Sequence, residues 1–144
     1  MGSDTGSLTG RADSRLAHSV RAGEALEVRG PIPTFSIKPS EYDRIVMVST
    51  GTGVAPFLQL LSRMTPSPPP SNGPRLDLVH LQPGPDRVDW AVSAGFIPSL
   101  QEKHGEGLIV HRPTPGQISA QTMREAVGAT KGERIMVLVC LPPQ

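Results

Sequence analysis

From Arg44 onward, short apolar runs alternate with amphipathic segments, and that alternation leaves few folds open. "RIVMVST" (Arg44–Thr50) is continuous and rich in β-branched residues, the pattern of a strand buried on both faces. After it, "GTGVAPFLQLLSRM" puts Val54, Phe57, Leu58, Leu60, Leu61 and Met64 near helical spacing. Pro56 suits the first turn of that helix, where its missing N–H costs nothing. "RLDLVHLQ" (Arg75–Gln82), "GLIVHR" (Gly107–Arg112) and the run Arg134–Cys140 read as three further core strands. "AVSAGFIPSLQEKHG" reads as a helix interrupted at Pro98. "ISAQTMREAVG" reads as a helix with Ser119 at its N-cap and Gly128 at its end. The order β-α-β-α-β-α-β predicts an α/β fold, a parallel sheet flanked by helices on both faces. In such a sheet ligands bind beyond the carboxyl ends of the strands. The residues to examine are therefore 50–56, 82–89, 113–117 and 140–143.

Composition narrows the function classes. The 144 residues fit one ordinary domain. A net charge of +1 with no basic run gives no reason to expect nucleic acid or an anionic membrane as partner. Aromatics at 3% are too few for base-stacking platforms. A single cysteine, Cys140, excludes an internal disulfide framework and a cysteine-rich zinc site, and is consistent with a reducing, intracellular setting. His18, His80, His104 and His111 share no metal-ligand spacing, so no metal site is predicted and solvent or core positions are expected. No apolar run approaches a membrane span, and the first residues lack the apolar core of a secretory signal. Hydrolase motifs such as G-x-S-x-G and H-E-x-x-H are absent. Glu41, Asp43 and Arg44 read as a solvated edge. Asp86, Arg87 and Asp89 read as a surface charge cluster on the ligand side.

The loop "GTGVAP" is G-x-G-x-x-P, with Pro56 where the dinucleotide fingerprint has its third glycine. No Lys-Ser/Thr follows, so it is not a P-loop. Gly51 and Gly53 lack Cβ and would let a pyrophosphate approach the backbone. The N–H groups of the helix start face the same place, and Thr52 can add a hydroxyl donor. A tight βα turn without any ligand explains the same letters about equally well.

Taken in order, "VRGPIPTF", "RIVMVSTGTGVAPFLQLL" and "VLVCLPP" resemble the nicotinamide-binding half of the ferredoxin–NADP reductase and cytochrome b5 reductase superfamily. Its members show R-G-P after the last barrel strand, a G-G-T-G-I-x-P loop and a late C-G-P. The wording around "RGPIPTF" and "STGTGVAPF" is most similar to a fungal mitochondrial type, the cytochrome c import factor type, and only that resemblance implies a mitochondrial location. The resemblance implies an NAD(P)H-dependent flavin oxidoreductase: a β-barrel holds FAD, the α/β domain brings NAD(P)H, and hydride passes to the flavin. Single electrons then leave for a haem or iron–sulfur protein.

The same resemblance implies that Gly51, Thr52, Gly53, Val54 and Pro56 line the pyrophosphate and nicotinamide ribose. Cys140 would stand beside the nicotinamide ring, the catalytic position, with Pro142 after it. Ser14 keeps the interval to Gly23 seen in the family's FAD-pyrophosphate segment, although Arg11 replaces that segment's glycine. Residues 1–35 are then the remnant of an FAD-binding barrel and its connector, and 36–144 an NAD(P)-binding domain that is incomplete at its C-terminal end. Two departures bear on activity. The flavin-ring motif R-x-Y-[ST] is absent, and Leu141 stands where the late motif has glycine. FAD is expected to be weakly held or absent in this chain. A non-catalytic nucleotide-binding or interaction remnant is the second expectation.

Overall fold

A computed structural model of the chain describes residues 21–25, 36–66, 72–81, 84, 86–113, 118–128 and 131–141. The chain divides into two units, 1–36 and 37–144. Most of the first unit, and with it most of the expected barrel remnant, lies outside the described residues.

Among its described residues the second unit has four strands: β1 (Arg44–Thr50), β2 (Arg75–Leu81), β3 (Leu108–His111) and β4 (Ile135–Cys140). All pair in parallel, in the order β3-β2-β1-β4. The helices are α1 (Ala55–Arg63), α2 (Trp90–Ser93), α3 (Phe96–His104) and α4 (Ala120–Val127). β1 lies between two strands and has helices on both sides, so Arg44 through Ser49 are all buried and its run shows no polar alternation. Ile45 and Met47 pack with Phe57 and Leu61 of α1, Ala91 of α2, and Ile97 and Leu100 of α3. Val46, Val48 and Val79 form the other layer, with Ile118 and Met123 of the α4 segment against them. This division follows from handedness. The steps β1→β2→β3 run one way across the sheet and β3→β4 runs back, so right-handed crossovers put α4 on the opposite face from α1–α3.

Local signals act where the residues suggest. Ser119 Oγ accepts from the Thr122 N–H at 3.0 Å as the N-cap of α4. Gly128 ends that helix at φ +36°. Pro56 falls in the first turn of α1. The break between α2 and α3, however, is at Gly95 (φ +80°), not at Pro98, which sits harmlessly in the first turn of α3. Among the described residues β3 and β4 are the sheet edges rather than core strands. β3 has four residues, and Val139 of β4 is 61% exposed. An apolar run does not reveal whether a neighbour will cover it.

Charge before and within the strands is also placed differently from the sequence reading. Arg44 is buried and makes a two-pronged contact with the fully buried Asp77: Nε to Oδ2 at 2.6 Å and Nη2 to Oδ1 at 3.1 Å. His111 Nε2 approaches Asp77 Oδ1 at 2.8 Å. Only Glu41 and Asp43 are solvated. The Arg134 guanidinium and backbone N–H both donate to Asp43 and hold its carboxyl at about 2, below the usual 3.8. A depressed carboxylate contributes stability above its unfolded value and loses it as pH falls through the folded one. Asp43→Asn is therefore expected to flatten the acid limb of thermal stability between about pH 4 and pH 2. Circular-dichroism melts across that window check it, and identical acid limbs would show that the pair is inert.

Candidate functional site

β1 and β4 are neighbours in the sheet, yet the chain leaves β1 toward β2 and reaches β4 last. The strand order therefore switches between β1 and β4, and it is beyond the carboxyl ends at such a switch that parallel sheets bind ligands. The glycine loop stands there, on the β1 side. Residues Gly51–Val54 form a single 3₁₀ turn that runs directly into α1. Neither Thr50 nor Val54 caps with its side chain, and the Ala55 N–H donates to the Thr52 carbonyl, so the N–H groups ahead of Ala55, at the start of the turn, are the ones a ligand could meet.

The two glycines have different reasons to be glycine. Gly51 has φ +52°, and nothing lies within 4 Å of where its Cβ would be. It is the open, left-handed position of the loop. Gly53 is closed: a Cβ there would collide with the carbonyl oxygen of Cys140, and would lie 3.2 Å from that carbonyl carbon and 3.5 Å from Sγ. Gly53 thus lets the end of β4 close on the loop, which brings Cys140 to the site. Thr52 and Pro56 are exposed, whereas the Val54 side chain is in the core, so Val54 has only backbone to offer a ligand. Cys140 is a half-buried free thiol, and Leu141 beyond it is exposed. Ser14 and Pro142 lie outside the described residues. Among the described residues no group of three or more His, Cys, Asp or Glu is placed to hold a metal ion, and no helix is long and apolar enough to cross a membrane.

A polar chain unforeseen from the sequence runs beneath the loop. Ser49 Oγ lies 3.0 Å from His80 Nδ1, both residues fully buried. His80 Nε2 lies 3.3 Å from Asp89 Oδ1 and 3.2 Å from Oδ2. Asp89 also accepts from Arg112 Nη2 at 2.7 Å and, as the N-cap of α2, from the Ala91 N–H at 3.2 Å. Asp86 and Arg87 are exposed, but Asp89 is a structural cap and not part of a surface cluster. One signal was present in the letters: Ser49 and His80 are the sixth residues of two equally long apolar strands. Equal offsets become neighbours only when the register is known, and here Cys140, Ser49 and His80 are partners in one row across β4, β1 and β2.

No protein-family model matches the chain. The chain is 33% identical over 137 residues to NADH-cytochrome b5 reductase 2 of Ajellomyces capsulatus, a stretch that covers 90% of the chain and 42% of that protein. It is 29% identical over 133 residues to an NADH-cytochrome b5 reductase-like protein of Arabidopsis thaliana, 87% of the chain and 39% of the relative. An uncharacterized FAD-binding protein of Schizosaccharomyces pombe is 43% identical over 47 residues, 33% of the chain and 18% of that protein. The chain spans about two-fifths of the length of the first two relatives. These similarities bear out the resemblance to the reductase superfamily over most of the chain.

Proposed function

We propose that this relative of the NADH-cytochrome b5 reductases binds NADH at the β1/β4 switch and works as part of an NADH-dependent flavin oxidoreductase. The observation that carries the reading is the pairing of two features at the switch in strand order. An open left-handed Gly51 heads an uncapped helix start, and Cys140 is drawn against Gly53. The backbone N–H groups of the loop and the positive end of α1 suit a pyrophosphate, and Thr52 adds an exposed hydroxyl. Pro56 brings no N–H that would need a partner. Cys140 marks the nicotinamide end of the site. When bound, NADH supplies a hydride for an FAD. An acceptor of the cytochrome b5 kind fits the relatives' names, and a mitochondrial, import-factor-type setting belongs to the reading through the resemblance alone. The sequence has no R-x-Y-[ST] motif for the flavin ring, and Ser14 lies outside the described residues. FAD is accordingly proposed to be held weakly or not at all by this chain.

Titration calorimetry with NADH and with NADPH tests the binding. NADH is expected to bind at millimolar strength or better and to quench Trp90, which lies on the ligand side at the start of α2. Failure of both nucleotides to bind would overturn the reading. The second reading, a nucleotide-binding remnant without turnover, is favoured by Leu141, whose exposed side chain replaces the family's glycine beside Cys140. It predicts NADH binding with no NADH oxidation when FAD and a one-electron acceptor are added.

A further inference from the structure

The Ser49–His80–Asp89–Arg112 chain joins the ends of three neighbouring strands and the start of a helix, all on the side of the sheet where the glycine loop sits. Its hydrogen-bond polarity is fixed by its ends. An ionised Asp89 can only accept, so His80 donates from Nε2, and in the neutral ring Nδ1 then accepts from the Ser49 hydroxyl. The order Ser–His–Asp matches that of a hydrolytic triad, but Ser49 is fully buried within β1 and no substrate can reach its oxygen. The chain is therefore built to hold something in place. Ser49 is followed only by Thr50 before Gly51, and across the sheet it is the register partner of both His80 and Cys140. The take-off of the loop is braced from β4 through Gly53 against Cys140 and from β2 through His80 against Ser49.

We propose that His80 is a positioning residue for the nucleotide loop: it clamps Ser49 at the root of the Gly51–Val54 turn and Asp89 at the head of α2, so that the loop N–H groups stand ready for a pyrophosphate. The nucleotide part of this statement rests on the function proposed above; the clamp itself does not.

The full chain carrying His80→Leu is compared with wild type by hydrogen exchange and by NADH calorimetry. The Ala55 amide, which donates back to the Thr52 carbonyl across the loop, and the buried Val54 amide beside it are expected to exchange about tenfold faster, with amides in α3 unchanged, and NADH affinity to fall about tenfold. His80→Asn, which keeps an acceptor toward Ser49, is expected to recover most of both losses. Should His80→Leu not fold, Ser49→Ala, which removes one hydroxyl, is expected to give about threefold effects in the same amides. A Leu100→Ala variant, destabilised at a core position on α3, is expected to melt earlier with loop exchange and affinity unchanged. Loop exchange that rises no more in His80→Leu or Ser49→Ala than in Leu100→Ala would overturn the clamp. Faster loop exchange in His80→Leu, together with a wild type that binds neither nucleotide, would overturn the functional reading and support the clamp.

Discussion

Gly53→Ala is expected to lower the melting temperature by roughly 8–12 °C and to abolish NADH binding in the same variant. The added methyl meets a backbone carbonyl, that of Cys140, and not the far end of a flexible side chain. Relief requires the end of β4 or the root of α1 to move, although Ser49 and Cys140 are register partners and Val54 is fully buried. Overpacking of this sort costs about 1–3 kcal/mol, and a backbone obstacle belongs at the upper end. For a domain of this size each kcal/mol is worth roughly 4 °C. Gly51→Ala is the control. Its methyl meets nothing, so the cost is the left-handed strain alone, about 1 kcal/mol, although the methyl would occupy the space offered to a pyrophosphate. The pair should separate: Gly53→Ala loses stability and binding together, whereas Gly51→Ala loses binding with a melting shift of only about 4 °C. If Gly53→Ala melts with wild type, the loop does not abut Cys140 and the proposed site loses its second wall.

The alternation of apolar runs made the parallel sheet and its flanking helices legible, because a doubly buried strand leaves an unbroken β-branched signature and β1 has one. The loop after β1 was legible for the same reason: a strand, two glycines and a first-turn proline are local features. What depends on register was not legible. Gly53 reads like Gly51 until β4 is placed beside β1, and only then is its hydrogen seen to face a carbonyl. Ser49 and His80 are 31 positions apart in the chain and look like isolated polar residues in apolar strands. Asp89 looked like one of three surface charges because capping depends on where α2 begins. The edges were hidden too: Val137 and Val139 belong to a run as apolar as that of β1, yet they are 48% and 61% exposed, since nothing in a run counts its neighbours.

Arg44 is the largest reversal of the sequence reading and carries the second large prediction. A residue at the start of a strand, after Glu41 and Asp43, looks solvated, but Arg44 is 3% exposed and its guanidinium grips Asp77, which is 0% exposed. Asp77→Ala removes the acceptor of two Arg44 bonds and of the His111 contact, and takes the buried carboxylate away from a buried guanidinium. Breaking such a pair from one side costs about 3–5 kcal/mol, a large share of a domain stability of about 5–15 kcal/mol. Urea denaturation should show the midpoint falling with the slope unchanged. Replacing both partners, Arg44→Met with Asp77→Leu, is expected to recover most of the loss, because the apolar pair avoids the desolvation of two charges. Asp77→Leu alone separates a buried ion pair from mere packing: if packing alone mattered, it would recover as much as the double variant. A loss below about 1 kcal/mol in Asp77→Ala, the size of a surface pair, would instead restore the solvated edge that the letters suggest.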